Sequence, residues 1–343
     1  MRQLPRQSPR GLDSMVPLSR STRSIIFTSM AIQLVTGGAG FIGSHIATEL
    51  VERGKSVRVF DNLSTGKSSN ISHLEGQIEF VKADLLDRPA VENALKDVEV
   101  IYHQAALASV PRSVARPLDT HAHCVTTTVN LLDVARQSGV RRVVFAGSSS
   151  VYGDQPFSSK RELDLPAPIS PYAAAKAACE SYCRAFTATY GLETVVLRYF
   201  NVFGPRQDPK SEYAAVIPKF VIAIMADKQP TIFGDGLQSR DFTFVSNVVA
   251  ANLAAADAEN AGGGVFNAAC GQQFTLLALI DSINRILGKE IKPLFSDPRT
   301  GDVRESSADI TAAQKILGYS PSVGFEEGLK RSIEYYKGLI ARE

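Results

Sequence analysis

An early segment of the chain alternates two short apolar runs with a glycine-rich turn and a stretch of helical periodicity. The first run, residues 32–36, predicts a buried strand, and the turn Gly-Gly-Ala-Gly-Phe-Ile-Gly follows at residues 37–43. Apolar residues recur at helical spacing over residues 44–53, and a second apolar run, residues 55–60, ends at Asp61. This order predicts the βαβ start of a doubly wound α/β fold.

The three glycines of that turn have the spacing of a dinucleotide-binding site. Gly37 permits the sharp turn that leaves the strand, and Gly43 lets the helix pack closely against it. A side chain at Gly40 would collide with a pyrophosphate, which we expect at the positive end of the helix. Asp61 follows Gly43 by 18 residues, the place of a carboxylate that accepts from the adenosine ribose and repels a 2′-phosphate. The pattern therefore favours NAD over NADP.

Composition argues against several classes of partner. The 343 residues are 44% hydrophobic and 21% charged, as in ordinary globular proteins, and the formal net charge is +2. Because the folded part has no basic stripe, we expect no nucleic-acid partner. No apolar run reaches the 18 residues that indicate a membrane span, so we expect no membrane partner.

The cysteine pattern bears on metal binding and on location. Cys124, Cys179, Cys183 and Cys270 form no CxxC pair and no spaced His/Cys cluster, so we expect no metal site. Cys179 and Cys183 lie four residues apart on a predicted helix and are expected to be buried. Scattered free thiols fit a reducing compartment, which indicates a cytoplasmic protein.

Residues 1–30 differ in composition from the rest of the chain. They carry five arginines and one aspartate among many Ser and Pro residues, and the first strand of the nucleotide fold follows Met30 directly. An Arg- and Ser-rich, acid-poor segment is typical of a transit peptide. We interpret it instead as an over-long gene start, with Met30 as the working initiator, or as a disordered arm. In neither case is it expected to carry chemistry.

Further strands alternate with helices along the chain. Apolar runs predict strands at residues 78–82, 98–103, 142–146 and 194–199, and the stretches between them have helical periodicity. This alternation predicts a Rossmann fold, a parallel sheet with helices on both faces, in which ligands bind beyond the carboxyl ends of the strands. Asp61 and the residues after three later strands fall at those ends.

Polar and small residues follow the third and fourth predicted strands. Asp84 lies where an acid can reach the adenine amino group. It could equally cap the helix predicted over residues 88–95, a role that Asp87 would also serve. Ala105 and Ala106 follow the fourth strand, and their side chains are small enough for a dinucleotide to lie against them.

Ser148, Tyr172 and Lys176 form a set suited to proton transfer. Ser148 closes the fifth strand, and Tyr172 lies in the first turn of a helix. Lys176 follows Tyr172 by four residues, so both side chains project from one face. A nearby ammonium and a positive nicotinamide ring favour the phenolate of a tyrosine, whose ordinary pKa is about 10. Such a set can take a proton from an alcohol while a hydride leaves to NAD.

The regular alternation weakens after residue 200, where Pro and Gly become frequent. We predict a Rossmann domain over residues 31–200, to which residues 241–268 return. A smaller mixed C-terminal lobe, built from residues 201–240 and 269–343, is predicted to bind the substrate.

Several motifs resemble those of the extended short-chain dehydrogenase/reductases, and specifically the nucleotide-sugar 4-epimerases. The resemblance covers residues 31 to about 340, with a departure at Cys124, where the family commonly has an asparagine near the cofactor. The matching pieces are Thr36-Gly-Gly-Ala-Gly-Phe-Ile-Gly43, Asp61-Asn62, Ser148 through Val151-Tyr152-Gly153, Tyr172-x-x-x-Lys176, Leu197-Arg-Tyr-Phe-Asn-Val-Phe-Gly-Pro205, Ile232-Phe-Gly-Asp-Gly236, Arg240-Asp241-Phe242 and Pro298-Arg-Thr-Gly-Asp302.

The resemblance implies roles for individual residues. Ser148 and Tyr172 would be catalytic, and Lys176 would serve both the cofactor and the tyrosine. The implied cofactor-binding residues are Gly37, Gly40, Phe41, Ile42, Gly43, Asp61, Asn62, Asp84, Leu85, Ala105, Ala106, Tyr172 and Lys176. The implied substrate-binding residues are Ser109, Ser148, Ser149, Asn201, Gln207, Ala215, Phe233, Arg240, Arg299, Asp302 and Ser306.

Among the substrate-binding residues, Asn201, Arg240 and Arg299 would bind the diphosphate of a UDP-sugar, since arginine forks fit phosphate oxygens. Phe233 would lie by the uracil. The implied reaction is a 4-epimerisation: oxidation at C4 to a 4-keto intermediate, rotation about the diphosphate link and reduction from the other face, with NAD retained.

The expected substrates follow from the sugar end of the site. Ser306 occupies a place where strictly glucose-type epimerases tend to have a bulky tyrosine, and a small residue leaves volume for an acetamido group. We therefore expect UDP-GlcNAc and UDP-GalNAc as substrates. Because a steric gate discriminates weakly, UDP-Glc and UDP-Gal are expected to be accepted as well.

Three alternatives use the same fold. A dehydratase or decarboxylase usually has a carboxylate after the catalytic hydroxyl, where this chain has Ser149 and Ser150. A UDP-glucuronate 4-epimerase needs a cationic pocket, which Arg112 or Arg304 could provide. A catalytically silent NAD-binding regulator would be expected to have lost the tyrosine or the lysine of the catalytic set.

Two predicted helices, over residues 117–139 and 172–190, resemble the pair that forms a four-helix dimer interface in this family. A homodimer is therefore expected. The apolar faces of these helices could instead be wholly internal.

Overall fold

A seven-stranded parallel sheet lies at the centre of the computed structural model, which describes residues 31–155, 159–209, 215–298 and 304–341. The strands are Ile32–Thr36 (β1), Ser56–Asp61 (β2), Ile78–Lys82 (β3), Val98–His103 (β4), Arg142–Ser148 (β5), Glu193–Tyr199 (β6), Val202–Phe203 (β7), Thr231–Phe233 (β8), Ser239–Arg240 (β9), Thr243–Phe244 (β10), Val265–Ala268 (β11), Phe274–Thr275 (β12), Leu294–Ser296 (β13) and Glu305–Ser306 (β14). The order across the central sheet is β11-β6-β5-β4-β1-β2-β3. The chain order therefore reverses between β1 and β4, the kind of switch point at which ligands bind in such sheets.

Helices cover both faces of this sheet. The α-helices are Phe41–Glu52 (α1), Arg88–Ala94 (α2), Val110–Ala115 (α3), Pro117–His121 (α4), Thr127–Ala135 (α5), Pro171–Tyr190 (α6), Val216–Met225 (α7), Val245–Asp257 (α8), Leu276–Leu287 (α9) and Phe325–Ile340 (α10). Helices α1 and α8 pack against one face, and α2, α5 and α6 pack against the other. Shorter turns are π-helical at Ala122–Thr126 and Ala313–Leu317, and 3₁₀-helical at Ser68–Asn70, Ser72–Leu74 and Ser149–Tyr152.

Successive residues of a central strand point to opposite faces of the sheet. In β1, Leu34 packs on the α5 and α6 side, whereas Val35 packs on the α1 and α8 side. In β5, Val143 and Val144 divide in the same way. Because both faces are buried, these strands read as nearly continuous apolar runs, which is why their positions could be predicted.

The predicted fold class, a doubly wound parallel sheet with a smaller mixed C-terminal lobe, is confirmed. The single helix predicted over residues 117–139 is wrong in detail. A π-helical turn at Ala122–Thr126 interrupts it, and its last α-helical residue is Ala135. Gly139 has a φ of 73° and lies in the turn that leads to β5, so it does not end the helix itself.

A third apolar core lies in the C-terminal part of the chain. Phe203, Phe242 and Phe325 are buried among residues of α7, α9 and α10, and the Phe242 and Phe325 rings stack with centroids 5.6 Å apart. Strand β9 pairs antiparallel with β12 and parallel with β14, so the pairing here is mixed. The β9–β14 register sets Ser306 directly opposite Arg240.

From Ala31 onward the chain forms one compact unit. In the predicted returning segment 241–268, strand β11 belongs to the central sheet and helix α8 packs against one face of it. The lobe boundaries stay a prediction. The predicted extension over residues 1–30 lies outside the described residues. None of the helices in the described part combines the length and hydrophobicity that a membrane crossing requires.

Candidate active site

One cavity of about 950 Å³ lies at the carboxyl ends of the central strands and brings together most of the predicted site residues. The predicted cofactor residues on its wall are Gly37, Gly40, Phe41, Ile42, Gly43, Asp61, Asn62, Asp84, Leu85, Ala105 and Ala106. The other predicted residues on its wall are Ser148, Ser149, Tyr172, Lys176, Asn201, Gln207, Ala215, Arg240 and Ser306. Residues far apart in sequence therefore meet at the switch point of the sheet.

The glycine turn leaves space where side chains would stand. Gly37 has a φ of 66°, and a Cβ there would come within 2.7 Å of the Ala105 nitrogen. A Cβ on Gly43 would come within 2.3 Å of the Gly37 carbonyl oxygen. The turn thus keeps a shallow backbone cradle at the start of α1, which fits the pyrophosphate of a dinucleotide.

Asp61 ends β2 with its carboxylate anchored at the cavity. Its Oδ2 accepts from the Ala39 N–H at 3.0 Å and its Oδ1 accepts from the Leu63 N–H at 2.7 Å. Because a carboxylate can accept about four hydrogen bonds, capacity remains for the hydroxyls of a ribose. The residue is only 7% exposed, so its charge is weakly screened and disfavours a neighbouring 2′-phosphate. These features fit NAD.

Asp84 and Asp87 have different roles. Asp87 caps α2 by accepting from the Ala90 N–H at 3.3 Å, so the capping alternative for Asp84 is excluded. Asp84 lies on the cavity wall, where it accepts from Asn62 Nδ2 at 2.7 Å and from the Leu86 N–H at 2.8 Å. Its predicted contact with adenine stays a prediction.

Helix α6 positions two of the three catalytic candidates. Ser170 caps the helix by accepting from the Ala173 N–H at 3.2 Å. Tyr172 therefore lies in the first turn, and Lys176 lies one turn further on the same face. Both side chains line the cavity.

Ser148 completes the set from the end of β5. Ser148 acts to lower the pKa of the Tyr172 phenol, and Ser148 Oγ lies 2.8 Å from Ser150 Oγ. The Lys176 ammonium donates to the Ala146 carbonyl at 2.7 Å. The hydroxyl, the phenol and the ammonium thus share one part of the cavity wall.

Electrostatics keep the ammonium charged beside the phenol. Burial raises the pKa of Tyr172, whereas Lys176 and Ser148 act to lower it. Burial alone would lower the pKa of Lys176, but negative charge on its neighbours, Tyr172 first, raises it overall. The protein alone therefore leaves the phenol protonated near neutral pH, and added positive charge in the cavity favours the phenolate.

His103, at the end of β4, is a buried residue that sequence reasoning did not single out. Its Nδ1 lies 2.7 Å from Thr36 Oγ1, just before the glycine turn, and its Nε2 lies 3.0 Å from Thr128 Oγ1 on α5. Burial and then the nearby Lys176 charge lower its pKa to about 3. A neutral histidine therefore ties the glycine turn to a helix of the opposite face.

The cysteines are free, and Cys124, Cys179 and Cys183 are buried, which confirms the prediction for Cys179 and Cys183. The Cys179 thiol donates to the Cys124 carbonyl at 3.4 Å, within the core below Tyr172 and Lys176. Among the residues that the structure describes, no group of three or more His, Cys, Asp or Glu side chains is arranged to hold a metal ion.

The loop that carries Gln207 is tied to the helix that starts at the glycine turn. Arg206, at a φ of 65°, donates to Thr48 Oγ1 of α1 at 3.1 Å and lies 3.3 Å from His73 Nε2. Gln207 itself donates from Nε2 to the Val202 carbonyl at 3.1 Å. Helix α1 therefore supports both the cofactor turn and a substrate-side loop.

Two of the predicted substrate residues that the structure describes, Ser109 and Phe233, are not on the cavity wall. Ser109 caps α3 by accepting from the Arg112 N–H at 3.2 Å, which uses its hydroxyl oxygen. Phe233 ends β8, and it also does not line the cavity. Arg299 and Asp302 lie outside the described residues.

Several cavity-lining residues were missed by sequence reasoning. The hydroxyl of Tyr199, the last residue of β6, lies 3.0 Å from both Gln104 Oε1 and Asn252 Oδ1 and can donate to either. The position of Gln104 directly before Ala105 in the sequence was a signal for that residue. Lys160 reaches the wall through a bridge to Ala308, a pairing that no local pattern reveals. The missed residues include Gln104, His123, Thr127, Lys160 and Tyr199.

Known proteins are similar to this chain in sequence and in fold. Residues 33–269 match the model of the NAD dependent epimerase/dehydratase family. The chain is 39% identical over 306 residues to a putative UDP-glucose 4-epimerase of Methanocaldococcus jannaschii, with 89% of this chain and 98% of that protein covered.

Two solved structures extend the comparison. One is a UDP-N-acetylglucosamine 4-epimerase from Methanobrevibacter ruminantium M1 in complex with UDP-N-acetylmuramic acid, with a TM-score of 0.86, 41% identity and coverage of 90% and 99% of the two chains. The other is a UDP-glucose 4-epimerase from Thermus thermophilus in complex with NAD, with a TM-score of 0.82, 36% identity and the same coverage.

The glycine cradle and the anchored Asp61 fit NAD as the cofactor, in agreement with these comparisons. The chain belongs to the NAD-dependent epimerase/dehydratase family, and thus to the extended short-chain dehydrogenase/reductases that its motifs resemble.

Proposed function

We propose that the protein is a UDP-sugar 4-epimerase that works with NAD. The observation that carries the proposal is the position of Ser148, Tyr172 and Lys176 on the wall of one cavity, together with the glycine turn and Arg240. A proton acceptor flanked by a dinucleotide site and by an arginine suited to a diphosphate is what C4 oxidation of a nucleotide sugar requires.

Tyr172 moves the proton in this scheme. As the phenolate it takes the proton of the sugar C4 hydroxyl, and as the phenol it returns a proton after the sugar has turned. Lys176, with Nζ 6.0 Å from the centroid of the Tyr172 ring, stabilises the phenolate. Ser148, on the same cavity wall as Tyr172, holds the reacting oxygen beside the phenol.

The bound cofactor supplies reversible hydride storage, so it is not consumed. Gly37, Gly40 and Gly43 provide the cradle for its pyrophosphate, and Asp61 accepts from its adenosine ribose. Arg240 retains the diphosphate of the substrate while the 4-keto sugar rotates and presents its other face.

Substrate preference is proposed from Ser306. This residue lines the cavity directly opposite Arg240 on the neighbouring strand, and its side chain is small. An acetamido group therefore finds volume there, which supports UDP-GlcNAc and UDP-GalNAc as substrates alongside UDP-Glc and UDP-Gal. A pocket of this kind discriminates by about 1–3 kcal/mol per group, so the preference is relaxed.

The sugar end of the cavity supports epimerisation over elimination. Among the described residues on the wall, the carboxylates are Asp61 and Asp84, and both lie on the cofactor side. The residues after Ser148 are Ser149 and Ser150, whose hydroxyls are too weakly basic to remove a C5 proton.

The two arginines proposed for the cationic pocket of a UDP-glucuronate 4-epimerase are not on the cavity wall. Neither Arg112 nor Arg304 lines the cavity, and Arg304 pairs with Asp235 at 2.9 Å. Lys160 does line the wall, but its Nζ donates to the Gln155 carbonyl. The position of both arginines off the wall favours an uncharged sugar.

A homodimer is also proposed. Helices α3 and α4 pack against α6, and together they expose Val114, Leu118 and Tyr182, of which Leu118 is 82% exposed. Apolar side chains at the surface of neighbouring helices mark an interaction surface. Light scattering should give the mass of two chains for wild type and of one chain for Leu118→Asp. A monomeric wild type contradicts this part of the proposal.

The activity is tested by incubating the purified protein with UDP-GlcNAc, UDP-Glc or UDP-glucuronate, each without added NAD. We expect a mixture of C4 epimers with unchanged mass, separated by chromatography. Loss of water or of carbon dioxide would establish a dehydratase or a decarboxylase. No turnover of any UDP-sugar, even with added NAD, would favour the NAD-binding regulator.

The substrate preference has its own variant. Ser306→Tyr should reduce turnover of UDP-GlcNAc relative to UDP-Glc by roughly tenfold, because the phenol fills the volume of the acetamido group. An unchanged ratio of the two rates would show that Ser306 does not contact that group.

A further inference from the structure

Asp241 directly follows Arg240 and joins three separate segments of the chain. The residue is 0% exposed. Its Oδ1 accepts from the Cys270 N–H at 3.0 Å, and its Oδ2 accepts from the Gly271 N–H at 2.8 Å and the Ala308 N–H at 3.4 Å. One buried carboxylate therefore fixes the loop after β11 and the segment after β14 relative to β9.

The backbone of Asp241 reaches two residues of the cavity wall. Its N–H donates to the Ser306 carbonyl at 2.7 Å, and its carbonyl accepts from Asn201 Nδ2 at 3.2 Å. Arg240, the preceding residue, is also on the wall, whereas Asp241 itself is not among the described lining residues. Three predicted substrate contacts are thus connected through one residue behind the wall.

The contacts of Asp241 match the ionised carboxylate. All of the side-chain contacts are backbone N–H donors, and an ionised carboxylate is an acceptor at both oxygens. An amide of the same shape would turn an NH₂ group towards one set of these donors. The buried donors would then lose their partner, which is costly away from water.

We propose that Asp241, as a carboxylate, is a positioning residue for substrate binding: it holds Asn201, Arg240 and Ser306 in the arrangement that receives the diphosphate and the sugar. It acts only through those three residues. The identity of the ligand as a UDP-sugar rests on the proposed function, whereas the connection between Asp241 and the cavity wall rests on the contacts above.

The charge of Asp241 gives the inference a second readout. Burial raises its pKa to about 6, although the Cys270, Gly271 and Ala308 N–H groups act to lower it. Besides the adjacent Arg240, the ionisable groups that face it are Cys270, whose pKa burial raises to about 11, and Tyr319, whose pKa burial also raises. Neither changes charge near pH 6. Substrate affinity should therefore fall below about pH 6.

The direct test is Asp241→Asn, with UDP and UDP-GlcNAc as probes. We expect the Kd for UDP, measured by calorimetry at neutral pH, and the KM for UDP-GlcNAc to rise roughly tenfold. The kcat should stay within about threefold, since a tenfold change in rate needs about 1.4 kcal/mol at the reacting atoms. The NAD content of the purified protein should not change.

The matched control is the reverse exchange, Asn284→Asp, near the end of α9 in the C-terminal part. Asn284 Oδ1 accepts from the Ile291 N–H at 3.1 Å and Nδ2 donates to the Ile291 carbonyl at 2.9 Å. Asn284 is not on the wall of the active-site cavity. Its exchange should lower stability without moving the Kd for UDP.

An unchanged Kd for UDP in folded Asp241→Asn would overturn the inference, as would equal losses of UDP affinity and NAD content. If the variant does not fold, the wild-type Kd for UDP-GlcNAc between about pH 5 and 7 decides, because this diphosphate diester does not titrate near pH 6. A rise below about pH 6 is expected, and a flat profile overturns the inference. UDP binding needs no turnover, so an inactive wild type would overturn the proposed function alone.

Discussion

The cofactor side and the substrate side of the cavity are built in different ways. The cofactor side uses short runs that directly follow neighbouring parallel strands, and its glycine turn is set by contacts as close as 2.3 Å for a hypothetical Cβ. The substrate side uses loops that hydrogen bonds join across long sequence separations, as around Asp241. Local chain geometry therefore determines the first side, and tertiary hydrogen bonding determines the second.

This difference predicts that the effects of substitutions divide into two kinds. Changes on the cofactor side should alter how much NAD the purified protein retains while leaving the affinity for UDP in place. Changes on the substrate side should alter UDP affinity and leave NAD content in place. Tyr172 lines the same cavity, and the loss of its hydroxyl alone should affect neither kind of binding.

The largest effect is expected for Tyr172→Phe. Removal of the phenol oxygen removes the proton acceptor, so kcat should fall by about 10²–10⁴-fold. The ring remains on α6, so NAD content and the Kd for UDP should stay close to those of wild type. Steady-state rates, absorbance of released cofactor and calorimetry measure the three quantities.

A buried tyrosine away from the cavity is the control for this exchange. Tyr102 is 2% exposed on β4 and does not line the wall. Tyr102→Phe should leave kcat unchanged. If Tyr172→Phe instead keeps more than a tenth of the wild-type kcat, another group accepts the proton and the assigned mechanism is wrong.

The next largest effect is expected for Arg240→Ala on the substrate side. A charge-assisted hydrogen bond contributes about 1.5–3 kcal/mol, so loss of the guanidinium should raise the KM for a UDP-sugar roughly 10- to 100-fold. Retained NAD should be unchanged, because Arg240 belongs to β9 and not to the glycine turn. Arg304→Ala is the control, since that side chain pairs with Asp235 outside the cavity. A loss of NAD from Arg240→Ala would contradict the prediction that substrate-side changes leave NAD content in place.

Most of the cofactor side could be predicted from the sequence, because its determinants are local. The spacing of Gly37, Gly40 and Gly43 reports the turn directly, and burial on both faces makes the strands visible as apolar runs. The structure was needed to assign roles to acidic residues that lie close together in the sequence. Asp87 takes the helix cap and leaves Asp84 for the cavity wall.

The substrate side could not be read in the same way. Only the resemblance pointed to Arg240 and Ser306, and their pairing across 66 residues is a tertiary contact that no periodicity encodes. Ser109 shows the converse, since a hydroxyl predicted to meet the substrate caps α3 instead. Its role there depends on where a short helix begins, which is the least predictable part of a helix.

The Gly43→Ala exchange should affect the cofactor side alone. The added Cβ would approach the Gly37 carbonyl oxygen to 2.3 Å, so the turn must open or α1 must shift. Overpacking of this kind costs about 1–3 kcal/mol of unfolding free energy. NAD retention should fall with it, and added NAD should restore part of the activity while the KM for the UDP-sugar stays close to that of wild type.

Gly338→Ala is the matched control on α10, where a Cβ would meet no atom within 4 Å. It should raise the free energy of unfolding by up to about 1 kcal/mol through helix propensity. If Gly43→Ala retains NAD as fully as Gly338→Ala does, the close approach of turn and helix is not what admits the pyrophosphate.

The smallest expected effect compares one buried titratable group on each side. Burial and then Lys176 lower the pKa of His103 from 6.5 to about 3, so only the unfolded chain gains this proton as the pH falls below 6.5. His103 therefore lowers stability in acid. Burial raises the pKa of Asp241 from 3.8 to about 6, so the stability it contributes is complete below pH 3.8 and is lost as the pH rises through 6.

The two groups thus have opposite signs in the same window, each at most about 1.4 kcal/mol per pH unit. His103→Asn should make the free energy of unfolding less sensitive to acid than in wild type, and Asp241→Asn should make it more sensitive. Urea unfolding at about pH 4.5, 5.5 and 6.5 measures both slopes. Because the other titrating groups are common to all three proteins, the differences between slopes isolate the two residues. Slopes that change in the same direction would mean that the folded-state pKa of one of the two groups is shifted in the direction opposite to the one given above.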